Sequence, residues 1–276
     1  MPNVIFRLFC CAVLAVWMQP VGAQRVFDVD LWQGAAPHPT GDAGDTARLR
    51  VFLPERSEST GRAVVICPGG AYEHLAMEAE GYDWAGFLNG MGIAAVVLKY
   101  RMPHGVAQAP LADAQQALRL VRANAAAWGI NASDVGIMGF SAGGHLASMA
   151  AVKGKGDARP DFQILFYPVI TMLSGYTHEL SHDNLLGRRA KKKTEQDYCS
   201  DMHVTRLTPP ACIILCDDDA TVLPINGVNY YTELYRHDVP ASLFVFPKGG
   251  HGFGMKGSFD YHIEMILALR AWLRSF

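Results

Sequence analysis

Val135-Gly-Ile-Met-Gly-Phe140 runs straight into Ser141-Ala-Gly-Gly-His-Leu-Ala147, and Ser-Met-Ala-Ala-Val152 follows. The uncharged run Val135–Phe140 suits a strand buried on both faces, and Ala142–Val152 reads as a helix. The turn between them is Gly139-Phe140-Ser141-Ala142-Gly143. This is G-x-S-x-G in the strand–turn–helix setting that the motif requires. A serine on so tight a turn sits in strained backbone geometry with its hydroxyl pushed into the open. Side chains at Gly139 and Gly143 would collide with the neighbouring turn. The N-terminus of the following helix is aimed at charge that develops there.

The same alternation extends in both directions. Arg48–Leu53, alternating in character, and the apolar runs Ala63–Cys67, Ile93–Leu98, Phe162–Tyr167, Ala211–Cys216 and Ser242–Phe246 read as strands. Helical patterns lie between them at Asp83–Met91, Leu111–Trp128, Pro224–Arg236 and Phe259–Leu273. Gly129 stands where a helix C-terminus favours glycine, and Pro224 where a first helical residue favours proline. Strand–helix alternation predicts an α/β fold, a mostly parallel central sheet with helices on both faces. The 276 residues are 50% hydrophobic and 18% charged, with a formal net charge of −2, which excludes a disordered chain and gives no footing for nucleic-acid binding.

Met1–Ala23 reads as a cleavable signal peptide. Arg7 precedes the apolar run Leu8–Met18, and Val21-Gly22-Ala23 supplies small residues before a cut at Gln24. The run is too short to span a bilayer, which needs about 20 residues. The expectation is a periplasmic or secreted protein, free of the membrane after cleavage. Residues 24–276 then form one catalytic domain with a cap-like insertion around 171–210, a stretch too long for an ordinary connection. The basic run Arg188-Arg189 and Lys191–Lys193 inside it reads as a solvated loop. Of six cysteines, Cys67, Cys212 and Cys216 sit in apolar runs, where packing is the expected role.

A serine hydroxyl needs a base and an oriented partner for that base. His251, in Gly249-Gly250-His251-Gly252, follows the run ending at Phe246 and belongs at the carboxyl edge of the sheet. Asp217-Asp218-Asp219 follow the run Ala211–Cys216, giving the chain order Ser…Asp…His. Pro68-Gly69-Gly70-Ala71-Tyr72 follows the strand ending at Cys67, the place of an oxyanion loop. Backbone N–H groups of Gly70 and Ala71 are expected to join that of Ala142. Losing one such donor typically costs ~3 kcal/mol of transition-state stabilisation. Tyr72 is placed to stack on a sugar ring or to pack against the cap. His145 reads as a packed histidine behind the elbow, and Glu78 and Glu80 as a solvated or capping pair. His178, His182 and His203 lack metal-ligand spacing, so no metal is expected.

Pro68-Gly-Gly-Ala-Tyr72, Gly139-Phe-Ser-Ala-Gly-Gly-His-Leu-Ala147, Thr208-Pro-Pro-Ala211, the aspartates at 217–219 and Gly249-Gly-His-Gly-Phe-Gly254 resemble exported carbohydrate esterases of the α/β-hydrolase superfamily. The acetylxylan-esterase-like members are the most similar. Ala71 departs from the pattern, since such enzymes usually carry a third glycine there. The resemblance implies a cofactor-free serine esterase with a Ser141–His251–Asp219 triad and an acyl-enzyme, acting on acetylated oligosaccharide or polysaccharide. Asp219 is favoured because Ala220-Thr221-Val222 complete a D-x-x-V pattern common in such enzymes; Asp218 is the runner-up. A broad carboxylesterase, a serine peptidase and a non-catalytic binding protein of the same fold are the alternatives. Oligomeric state is not legible in the sequence.

Overall fold

Eight strands pair into one sheet in a computed structural model that describes residues 25–276. The signal-peptide reading of Met1–Ala23 lies outside the described residues. The strands are β1 (Arg25–Asp30), β2 (Arg48–Leu53), β3 (Ala63–Cys67), β4 (Ala94–Lys99), β5 (Val135–Phe140), β6 (Gln163–Phe166), β7 (Ala211–Cys216) and β8 (Ala241–Phe246). Their order is β1-β2-β4-β3-β5-β6-β7-β8. Only the β1–β2 and β2–β4 pairs are antiparallel; the other five are parallel. The helices are α1 (Asp83–Asn89), α2 (Gln108–Ala123), α3 (Ala125–Trp128), α4 (Ala142–Lys153), α5 (Glu179–Leu186), α6 (Lys192–Asp197), α7 (Ile225–Arg236) and α8 (His262–Leu273).

Every residue of β3, β5, β6 and β7 is buried, because helices cover both faces. Alternate side chains along β3 feed two cores. Ala63, Val65 and Cys67 join Ala117 and Leu118 of α2, Leu146 and Ala147 of α4, and Tyr230 of α7. Val64 and Ile66 join Trp84 and Leu88 of α1, and Met265 and Leu269 of α8. This is the period-2 alternation of a strand, turned into two hydrophobic layers.

Three elements differ from the sequence reading. β1 was not expected; its Arg25-Val-Phe-Asp-Val-Asp30 is an edge strand, zipped to β2 by Asp30–Arg48 (3.0 Å) and Asp28–Arg50 (3.9 Å) pairs. The single helix expected at Leu111–Trp128 is two, α2 and the short α3, broken at Asn124. The Asn124 side-chain amide donates to the Leu120 carbonyl at 2.8 Å, competing with the helix ladder. β8, expected to be buried on both faces, is an edge strand with half-buried residues and Val245 exposed.

The stretch 171–210 holds α5, α6 and a 3₁₀ turn at Ser200–His203. It is stitched to the body where Asn226 Oδ1 accepts the Ile170 and Thr171 N–H groups. Arg188, Arg189 and Lys191–Lys193 are all exposed. The four cysteines of the described residues are buried free thiols. Among the described residues no helix is long and apolar enough to cross a membrane.

Candidate active site

β5 ends at Phe140, α4 begins at Ala142, and Ser141 between them has φ +51° and ψ −120°. A non-glycine residue held there costs on the order of 1–3 kcal/mol, so the surroundings must over-determine it. They do: the Ser141 N–H donates to the Phe166 carbonyl, and the Ser141 carbonyl accepts from His145 and Val169 N–H groups. A Cβ at Gly143 would lie 2.1 Å from the Cys67 carbonyl oxygen, and one at Gly139 would lie 2.1 Å from the Gly143 carbonyl oxygen. The loop after β3 therefore lies directly against the turn, an approach that only glycine permits.

The structure brings Ser141, His251 and Asp219 together from the ends of β5, β8 and β7. His251 Nε2 is 2.8 Å from Ser141 Oγ, and His251 Nδ1 is 2.7 Å from Asp219 Oδ2. With an ionised Asp219, the imidazole carries its proton on Nδ1 and presents the Nε2 lone pair to the serine hydroxyl. Asp219 is 3% exposed, and its Oδ1 accepts N–H groups of Thr221 (2.9 Å) and Val222 (3.0 Å). Those two bonds are the physical content of the D-x-x-V pattern. They fix the carboxylate so that its second oxygen faces the histidine.

Asp218 is solvent-exposed and points the other way. Its carboxylate accepts the Gly250 N–H at 2.8 Å and the Gly249 N–H at 3.2 Å. The Gly250 bond is the main cause that holds its pKa below the ordinary aspartate value. One aspartate thus pairs with His251 and its neighbour pins the loop that carries His251.

The loop at Gly70-Ala71-Tyr72 has φ values of +130°, +56° and +57°. Its Gly70 carbonyl accepts from Glu73 and His74, closing a tight turn. Among the described residues no acceptor pairs with the backbone N–H of Gly70, Ala71 or Ala142. Asn184, in α5, donates its side-chain amide to the Ala71 carbonyl at 2.9 Å. The long insertion therefore braces the donor loop.

Tyr72 corrects the sugar-stacking expectation. It is 2% exposed, stacked edge-on against Tyr100 and His145, so neither of its ring faces is open to a substrate. Its hydroxyl pairs with His145 Nδ1 at 2.8 Å, and His145 Nε2 pairs with the Tyr198 carbonyl at 2.7 Å. The neutral Nε2–H tautomer satisfies both bonds. Burial pushes the His145 pKa down to about 4.

Glu80 is a second correction. Rather than being solvated, it is buried in a single π-helical turn, Glu78–Tyr82. His178, weighed in the sequence only as a metal ligand, lies just before α5 and near enough for His251 and Asp219 to act on its charge. Burial first, and then His251, lowers its pKa. Neither residue sits in a motif, so no local signal marks them. Glu179, His182 and Asp183 place three ligand-type atoms within 4.8 Å of one another, but His182 already pairs with Asp183 (3.0 Å) and Glu195 (3.2 Å).

Chemically, the arrangement can move the Ser141 proton to His251 as Oγ attacks an ester carbonyl, and the unpaired N–H groups can receive the oxyanion that forms on the carbonyl oxygen. Comparison with known proteins agrees with this class of chemistry. The acetylxylan esterase of Xylanibacter ruminicola is 44% identical over 233 residues, covering 83% of this chain and 48% of that protein. The chain thus spans about half the length of that relative. The crystal structure of an acetyl ester-xyloside bifunctional hydrolase from Caldicellulosiruptor lactoaceticus superposes with a TM-score of 0.83 at 32% identity, covering 94% of this chain and 98% of that one. An alpha/beta hydrolase enzyme from a deep-sea metagenome library superposes with a TM-score of 0.71 at 25% identity, over 91% and 96% of the two chains. The BD-FAE family model matches residues 49–234. With that match and the sheet order described above, the chain belongs to the BD-FAE family and has the α/β-hydrolase fold.

Proposed function

We propose that the protein is an exported serine esterase that removes acetyl groups from plant-type oligosaccharide or polysaccharide. The observation that carries the mechanism is the unbroken Ser141–His251–Asp219 hydrogen-bond series, with the acid buried and its outer oxygen saturated. His251 Nε2 takes the Ser141 proton as Oγ attacks the ester carbonyl. The N–H groups of Gly70, Ala71 and Ala142 receive the oxyanion. The imidazolium returns its proton to the departing sugar oxygen, the C–O bond breaks, and an acetyl-serine remains. Water, deprotonated by His251, releases acetate and restores the serine.

The substrate class is supported by relatives whose own descriptions name acetylxylan and acetyl-xyloside chemistry. Export is supported by the apolar run Leu8–Met18 between Arg7 and the small residues 21–23. Acetate release from acetylated xylo-oligosaccharides tests the function, with Ser141→Ala as control. Release that disappears in the variant is expected. A folded wild-type protein that cleaves 4-nitrophenyl acetate but not the acetylated sugar would overturn the substrate class. One that cleaves neither would overturn the mechanism.

A further inference from the structure

Glu80 is a buried carboxylate that the mechanism above does not use. Its Oε2 accepts the Gly69 N–H at 2.8 Å, at the base of the donor loop. Its Oε1 accepts the Tyr167 hydroxyl at 2.8 Å. The Tyr167 oxygen in turn accepts the Gly254 N–H at 3.1 Å, in the loop that carries His251. The Tyr167 ring meets the His251 ring edge-on, with centroids 4.7 Å apart. Glu80 and Tyr167 together therefore tie two loops that are 185 residues apart in sequence, Gly69 to Gly254.

The backbone is shaped for this contact. A Cβ at Gly69 would come within 2.6 Å of Glu80 Oε2, and one at Gly254 within 2.9 Å of the Ala79 carbonyl oxygen. Both loops close on the π turn where they lack side chains. Single π turns are rare and frequently occur at functional sites. Tyr167 itself is held at φ +35° immediately after β6. Both Glu80 oxygens act as acceptors, a pairing complete for the anion. Burial is the largest influence on its pKa and leaves it raised, with the Tyr167 and Gly69 bonds, and then His251 and Lys256, opposing.

We propose that Glu80 is a positioning residue: its carboxylate holds the donor loop through Gly69 and the His251 loop through Tyr167 and Gly254, and so sets the Gly70 and Ala71 donors in register with the base. This rests on the serine-esterase reading. A misplacement of about 1 Å in such a site can cost on the order of 100-fold in rate. Glu80→Gln keeps the shape but supplies only one acceptor for two donors. Its kcat on 4-nitrophenyl acetate should fall about 10- to 100-fold with KM within about twofold, because ground-state binding does not depend on the register. Its phosphorylation by diethyl 4-nitrophenyl phosphate, in which Ser141 Oγ displaces 4-nitrophenolate, should slow in parallel.

Wild-type protein that forms no Ser141 adduct would overturn the serine reading itself. Wild type that labels, with Glu80→Gln labelling and turning over within about twofold of it, would overturn only the positioning role. So would a variant whose loss lies in KM. Should Glu80→Gln fail to fold, Tyr167→Phe decides: it deletes one oxygen and leaves Glu80 bound to Gly69. A fall in kcat at unchanged KM supports the proposal, and an unchanged kcat overturns it.

Discussion

Two buried tyrosines flank the Ser141 elbow, one in each core layer, and they anchor different things. Tyr72 belongs to the layer under α2 and α4, where it bonds the neutral His145 and, through it, the Tyr198 carbonyl of the insertion. Tyr167 belongs to the layer under α1 and α8, where it bonds Glu80 and the Gly254 N–H. Both networks satisfy buried polar groups. The first runs from Tyr72, at the end of the donor loop, through His145 of α4 to the insertion. The second fastens two loops that present reacting groups to each other. The difference teaches that burial and hydrogen bonding do not by themselves assign a role; the ends of the network do.

The comparison can be broken by experiment. The largest effect sets its floor: Ser141→Ala should lower 4-nitrophenyl acetate turnover by about 10⁴-fold or more while leaving the circular dichroism spectrum unchanged. Asp219→Asn should approach the same floor, about 10⁴-fold in kcat, since the amide selects the wrong imidazole tautomer. Asp218→Asn should lose far less, because its carboxylate meets only backbone N–H groups of the loop. Equal losses for the two would erase the distinction drawn between these neighbours.

The tyrosines then separate. Tyr167→Phe should act on kcat, as set out above. Tyr72→Phe should act on stability, costing about 1–3 kcal/mol in urea unfolding because His145 Nδ1 is left without a donor, with kcat within about threefold. The reverse pattern would sink the comparison.

Acid sharpens it further. At about pH 7.5 and above, both folded and unfolded chains hold His145 almost wholly neutral, so it has little effect on stability. As pH falls the unfolded chain protonates first, because the folded value is near 4. Unfolding free energy should therefore drop by roughly 2–3 kcal/mol from this residue between pH 7.5 and 4.5. His145→Gln should narrow the pH dependence by that amount in paired urea titrations. The smallest effect is Ala71→Gly. Relief of the positive φ and the added freedom of the unfolded chain oppose each other, leaving stability within about 1 kcal/mol. A larger change by differential scanning calorimetry would mean the loop is held differently.

The sheet was legible because continuous apolar runs of four to six residues leave little choice but burial on both faces. The elbow was legible because Gly139 and Gly143 are forced by backbone contact, which leaves a fixed spacing in the sequence. Asp219 could be favoured over Asp218, though three adjacent acids look alike until the N–H groups of Thr221 and Val222 are seen to choose one. β1 was hidden because an edge strand of mixed charge has no apolar signature. Glu80 was hidden for a different reason. Its partners lie at positions 69 and 167, and nothing local distinguishes a carboxylate that meets them from one that meets water. For Tyr72 the sequence leaves sugar stacking and packing side by side, because a loop tyrosine beside a reactive turn suits either; the structure buries it at 2% exposure.

The bond from Asn184 to the Ala71 carbonyl and that from His145 to the Tyr198 carbonyl bear on how such chains can be recombined. Residues 171–210 resemble an exchangeable cassette, bounded by two strands and carrying a solvated basic stretch. Yet the cassette holds one end of a bond to the donor loop and one end of a bond to the helix behind the nucleophile. Both acceptors are backbone carbonyls, so a chimera loses a bond where the parent of the segment lacks the asparagine at 184 or the parent of the helix lacks the histidine at 145. Hybrids that retain Asn184 and His145 keep the insertion tied to both the donor loop and the helix behind the nucleophile, whichever parent supplies the carbonyls.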